Sequence, residues 1–215
     1  RIDPEMYSPR FLQYGRKKKY AYICTWKEGM EPDEVMDEPE IVIKGSAAKR
    51  SDASRLTRDT EKEVITALLH GNEDEVSSIV YKAATKLDPE DPDWDSIGIP
   101  GGIGKEFSEY EKPTAHIEAA MNSNKLLNTD FGKGSKPMRV YLRPTYFDQL
   151  DERIDRIAYE DADDLRLIED QLVIDAAKMT ETLLKNPLRP ILDAVGVDVD
   201  AAVSGMDQTG LGAFL

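Results

Sequence analysis

Hydrophobic and polar residues alternate along this chain with two different periods. Residues Tyr20 to Trp26 ("YAYICTW") are β-branched and aromatic, and Glu40 to Gly45 ("EIVIKG") repeat that character, so each predicts a strand. The charged residues between them carry Gly29, Pro32 and Pro39 as breakers, which predicts a hairpin with a long acidic loop. From Ser54 the period becomes helical. Leu56, Val64, Ile65, Leu68 and Leu69 share a broad face that Gly71 ends. Asn72 followed by Glu75 has capping-box form, and Val76, Ile79, Val80, Ala83 and Leu87 continue as a second helical stripe. The prolines and glycines of "LDPEDPDWDSIGIPGGIG" predict a loop.

Thr114 is placed to cap a third helix carrying Ile117, Ala120, Met121 and Leu127, which ends near "TDFGKG". Met138 to Pro144 ("MRVYLRP") predicts a short strand. After a polar, acidic stretch, Asp175 is placed to cap a helix with Met179 and Leu183, broken at Asn186 and Pro187. Pro190 suits the first turn of a final short helix ended by Gly196. No internal repeat is present. The fold class expected is α+β, with small antiparallel strands first and a mainly helical part after them.

With 215 residues the chain suffices for one sizeable core, or for one domain and part of another. Its first residue is Arg1, which suggests processing or excision from something longer. No apolar run approaches the roughly 20 residues of a membrane helix and no signal-peptide core is present, so a cytoplasmic location is expected. Cys24 is the only cysteine, which excludes an internal disulfide or a thiolate cage from this chain alone; its apolar, aromatic setting makes it a packed small residue.

The net charge of -14 changes the picture more. Acidic residues cluster in "EPDEVMDEPE", "LDPEDPDWD", "YEDADD" and "DVDVD", a surface that repels nucleic acid at long range. At about 1 M salt the Debye length falls to about 3 Å and distant carboxylates are screened. Adaptation to a salt-rich cytosol is therefore the preferred reading of the acidity.

Most candidate motifs fail on their own chemistry. "DVDVDAAVSGMD" starts like a calcium loop, yet Val203 stands where glycine is required and its twelfth position is not glutamate. The carboxylates of "DPDWD" and "DADD" have no scaffold and read as solvated surface. In "GIPGGIGKEF", Gly98 and Gly104 are separated by five residues rather than four and Glu106 replaces the magnesium-binding hydroxyl, which leaves a tight structural turn with Lys105 as a possible phosphate contact. His70 closes a helix, where a cation suits the dipole. His116 falls in the first turn of a helix, where backbone N–H groups favour an anion.

Two stretches remain. In "YGRKKKYAY" Arg16, Lys17, Lys18 and Lys19 stand among tyrosines, either as a solvated strand end or as a contact that pairs with phosphates and packs rings on sugars. Composition leaves these readings open. The last eight residues, "QTGLGAFL", place Leu211, Phe214 and Leu215 on one side of a helical turn with Gln208 at its edge. This spelling resembles the sliding-clamp-binding peptide of replication proteins.

Taken in order, "KKKYAY", "IKGSAAKRSDASRLTRDTEKEVITALLHG", "IGIPGGIGKEFSEYEKPTAHIEAAM", "GSKPMRVYL" and "QTGLGAFL" resemble the C-terminal part of a family B DNA polymerase of the archaeal type, and they span almost the whole chain. The resemblance implies a palm edge over residues 1–57, a thumb over 58–207 and a clamp-binding tail over 208–215. It implies that Lys18 and Tyr20, with Lys17 and Lys19 beside them, lie along the minor groove and backbone of a primer–template duplex. Gly45, Arg50 and Asp52 match the palm-to-thumb junction, Lys105 falls within the thumb segment, His116 matches the thumb histidine near the duplex backbone, and Gln208, Leu211, Phe214 and Leu215 match the clamp-binding positions. The metal-binding aspartates of the family palm, its nucleotide-binding fingers helix and its exonuclease are missing. A complementary catalytic chain with Mg2+ would have to supply the chemistry. The alternative reading is a non-catalytic regulator that binds DNA or the clamp.

Overall fold

The computed structural model describes residues 6–15, 17–31, 33–166 and 168–206. They form a mixed α+β fold with small antiparallel sheets, in agreement with the expected class. The strands are β1 (Met6–Tyr7), β2 (Arg10–Gln13), β3 (Tyr20–Cys24), β4 (Trp26–Lys27), β5 (Glu40–Lys44), β6 (Ile99–Pro100), β7 (Met138–Phe147) and β8 (Glu152–Tyr159). The α-helices are α1 (Arg55–His70), α2 (Val76–Thr85), α3 (Trp94–Ile97), α4 (Ala115–Leu126), α5 (Ala176–Thr180), α6 (Asn186–Asp193) and α7 (Val199–Ser204). The chain divides into two compact units. The first takes Arg1–Arg50, Arg58–Tyr81 and Lys185–Leu215, as far as these are described, and the second takes Ser51–Thr57 and Lys82–Leu184.

In the first unit β3 and β5 form the expected hairpin, with Tyr20 opposite Lys44 and Ala21 opposite Ile43. Ala21 and Ile43 are buried, so the other side of the alternation turns Tyr20, Tyr22 and Val42 outward. Strand β2, which no sequence alternation marks, pairs with β3 on the side away from β5. Four residues with exposed Arg10, Phe11 and Gln13 give no alternation to detect.

Helix α1 buries Val64, Ile65, Leu68 and Leu69 as expected. It closes through the left-handed Gly71 (φ +83°), whose N–H reaches Leu68 O while Asn72 N–H reaches Ala67 O. The capping box expected at Asn72 and Glu75 does not form. Asn72 already closes α1 with its backbone, its side chain caps nothing, and a 3-10 turn over Glu73–Glu75 leads into α2.

The predicted loop before Gly104 holds α3 and β6, because Trp94, Ile97 and Ile99 are buried and β6 adds to β7. The polar stretch after Pro144 is part of a β-hairpin. β7 runs on to Phe147, with an irregularity between Tyr141 and Thr145 where Pro144 has no N–H to donate, and β8 pairs back along it. In "ERIDRIAY" the charges mask Ile154, Ile157, Ala158 and Tyr159, all buried. Helix α4 packs on β8 and β7, and its core joins Ile117, Ala119 and Ala120 to Ile103, Phe131 and Ala158.

The helical break expected at Asn186 and Pro187 is absent. A π turn over Glu181–Lys185 widens the backbone between α5 and α6, the irregularity through which helices accommodate proline, and Pro190 lies inside α6 rather than in its first turn. Asp198, in the stretch that starts like a calcium loop, is the N-cap of α7, accepting from Ala201 N–H at 2.7 Å. Asp175 caps α5 as expected, accepting from Lys178 N–H. No helix among the described residues is long and apolar enough to cross a membrane.

Candidate functional site

The basic stretch is the loop of the β2–β3 hairpin, closed by Tyr14 N–H to Lys19 O at 3.2 Å. Gly15 (φ +71°) and Lys18 (φ +73°) both take left-handed backbone. That conformation is free for glycine and costs a lysine about 1–2 kcal/mol, so the loop holds Lys18 in a geometry its own preferences oppose. The neighbouring segment packs closely against it. Gly45 (φ +68°) lies so close that a Cβ there would stand 2.3 Å from the Lys18 carbonyl oxygen. Lys17 and Lys18 are exposed, whereas Lys19 is half-buried.

Behind Gly45 the chain makes a 3-10 turn over Ala47–Lys49, ended by Arg50, whose N–H donates to Ala47 O at 2.9 Å and whose side chain is exposed. A carboxylate from α1 holds this turn. Glu61 is only 3% exposed; it accepts the Ser46 hydroxyl proton and, at 2.7 Å, the Ala48 N–H. Burial raises its pKa above the usual carboxylate range, opposed by the Ser46 and backbone hydrogen bonds and by the charge of Lys19. Tyr14 sits beside this group at 2% exposure, and burial pushes its phenol up to about 12, with the Ser46 hydroxyl opposing. The Tyr14 hydroxyl has no well-aligned hydrogen-bond partner among the described residues. Sequence reasoning missed Glu61 and Ser46, because a polar residue in an amphipathic helix reads as solvated until its neighbours are known.

Tyr20 begins a row of rings on the outer sheet face. Its centroid lies 5.5 Å from Phe11 and 6.2 Å from Tyr22, with the planes within 23° of parallel. Phe11 is 57% exposed and stands opposite Tyr22 in the β2–β3 register. Together these features set a row of aromatic rings, exposed at Phe11 and half-buried at Tyr20 and Tyr22, beside a turn of lysines, an arrangement that can offer ring faces for stacking and cations for an anion. The structure thus brings Lys17, Lys18, Lys19, Tyr20, Gly45 and the Arg50 turn together in the first unit.

Lys105 and His116 belong to the second unit. Lys105 is exposed on a loop held by its own N–H and that of Gly104, both donating to Tyr110 Oη at 3.2 Å. The loop is laced to residues 134–137 by Gly101 N–H to Pro137 O and Ile103 N–H to Ser135 O. Its glycines serve close packing, since a Cβ on Gly98 would meet Met138 and Tyr159, and one on Gly101 would meet His116 Cβ at 2.7 Å. His116 is half-buried, with Nδ1 3.1 Å from the Thr114 hydroxyl. Burial and the nearby Arg139 charge lower its pKa, with the Gly102 backbone opposing. Thr114 heads α4 as expected but uses its side chain on His116 rather than as a cap.

Gln208, Leu211, Phe214 and Leu215 lie outside the described residues. Among the described residues, no group of three or more His, Cys, Asp or Glu is placed to hold a metal ion. No protein-family model matches this chain, and no curated protein matches it significantly.

Proposed function

We propose that this chain is the palm-edge and thumb portion of a replicative DNA polymerase resembling the archaeal family B enzymes. In this role it grips newly made primer–template duplex through Lys17, Lys18, Lys19, Tyr20 and Arg50 and through Lys105 and His116. Its C-terminal Gln208, Leu211, Phe214 and Leu215 tether the enzyme to the sliding clamp. A complementary catalytic part supplies the aspartates and Mg2+.

One observation carries the reading. "KKKYAY" and "IKGSAAKR" resemble two separate family segments, and the fold sets them side by side, with Tyr20 opposite Lys44 and the Lys18 carbonyl against Gly45. A solvated strand end has no need of a strained lysine buttressed by a glycine and a buried carboxylate, whereas a duplex contact needs its cation fixed in place. The row from Phe11 to Tyr22 adds apolar surface for sugars or bases beside those cations.

Reconstitution tests the proposal. Adding this chain to the catalytic part of such a polymerase, with Mg2+, clamp and primed template, is expected to raise extension and processivity; no change refutes it. Removing residues 208–215 separates it from a clamp-competing regulator, since a thumb keeps its duplex affinity without them and a clamp competitor loses its binding altogether.

A further inference from the structure

A second cationic centre lies wholly within the second unit. Arg139 and Arg156 come from one face of the β7–β8 hairpin and Lys178 from α5. All three converge on the Tyr141 ring, at 5.2, 5.9 and 3.9 Å from its centroid. The carboxylates do not divide evenly among them. Arg156 takes Glu118 at 2.6 Å and Asp155 through two hydrogen bonds, and Lys178 shares Asp155 at 3.7 Å. Arg139 is paired with neither, and its Nε is buried without a hydrogen-bond acceptor among the described residues. Its charge also acts on His116, a second basic group.

Three cations around one ring with two carboxylates for them is an unusual concentration in a chain of net charge -14. Cation–π contact returns only about 0.5–2 kcal/mol per cation, and a buried guanidinium nitrogen without an acceptor loses about as much. An anion held by the Arg139 guanidinium neutralises the surplus charge.

We propose that Arg139, with Lys178 over Tyr141 and His116 beside it, forms a phosphate-binding site in the second unit, separate from the lysine turn of the first. A phosphate suits it because the guanidinium fork bonds two phosphate oxygens at once. As a contact to the DNA backbone the site rests on the function proposed above; as a phosphate site it stands without that reading.

The test uses the full chain and two probes. In the first, inorganic phosphate is titrated at constant ionic strength against chloride, and the His116 imidazole resonances are followed. Phosphate is expected to give a saturable shift and to raise the His116 pKa, since the anion offsets the Arg139 charge. Arg139→Gln should weaken that binding about tenfold or more, Arg139→Lys should retain part of it, and Arg166→Gln, which removes an exposed arginine paired with Asp163, should leave it unchanged. Urea midpoints of the variants establish that they fold. A shift linear in salt, or one equal in the Arg139→Gln chain, overturns the proposal and identifies the cluster as packing alone. In the second, duplex binding is measured against salt. A fall of about one in the salt slope for Arg139→Gln assigns the site to a DNA phosphate. Phosphate binding with an unchanged duplex slope assigns it to free phosphate and overturns the DNA contact. A parent chain that binds phosphate but no duplex removes the polymerase reading and leaves this site standing.

Discussion

Gly45→Ala probes the coupling between the junction segment and the lysine turn. Two costs add at this position. At φ +68° an alanine takes left-handed backbone, which costs about 1–2 kcal/mol. Its Cβ would also lie 2.3 Å from the Lys18 carbonyl oxygen and 3.3 Å from Lys19 Cγ. The first contact is with backbone, so relief requires moving either the β2–β3 loop or the end of β5, and such overpacking typically costs about 1–3 kcal/mol. The sum, about 2–5 kcal/mol, is a large share of the roughly 5–15 kcal/mol that holds a domain together. Gly29→Ala is the control: Gly29 has φ +98° with nothing within 4 Å of its Cβ position, so only the backbone cost remains. Urea unfolding of both variants, read as midpoint and slope, is expected to place Gly45→Ala well below Gly29→Ala. Duplex affinity should fall with the former and not the latter, because displacing the Lys18 carbonyl displaces its side chain. Equal midpoints would refute the steric argument, and a destabilised Gly45→Ala with full duplex affinity would refute the coupling of the turn to binding.

Lys18→Ala is expected to reduce primer extension in the reconstituted polymerase by about tenfold, more than one lost phosphate charge explains; a change confined to the salt slope, of about one, would limit Lys18 to a simple phosphate contact. Glu61 has a folded pKa above its unfolded value of about 4.3, so the folded state holds the extra proton and stability falls as pH rises from there through the raised value. Glu61→Gln removes that dependence, and urea unfolding should show the variant gaining on the parent between pH 4.5 and pH 8; a difference constant with pH would deny the burial effect. Tyr159 is fully buried and donates to Trp94 O at 2.6 Å, so Tyr159→Phe leaves a buried carbonyl unsatisfied and should cost about 1–3 kcal/mol. A thermal midpoint within a degree of the parent would show that water or a shifted backbone replaces the bond.

Local pattern determined a good part of this protein. The β3–β5 hairpin, the span and glycine stop of α1, the core stripe of α4 and the Asp175 cap could all be read from the residues, because each depends on neighbours within a few positions. The lysine–tyrosine stretch was likewise visible as a candidate contact from its composition alone. Tertiary structure decided the rest. β2, β6 and β8 exist because a partner strand is present to complete their hydrogen bonds, and charged β8 becomes a strand only against β7. The helix runs through Asn186 and Pro187 because a π turn absorbs the proline and Leu183, Leu184, Leu188, Ile191 and Leu192 are buried on either side. At the site, the sequence named the lysines, but it could not show that Lys18 lies against Gly45 in left-handed backbone, that Glu61 is buried beneath the next turn, or that the Arg139 Nε is buried with no acceptor among the described residues. Those facts depend on residues far apart in the chain, and the energy of a buried charge or a close carbonyl is set by what the fold places around it.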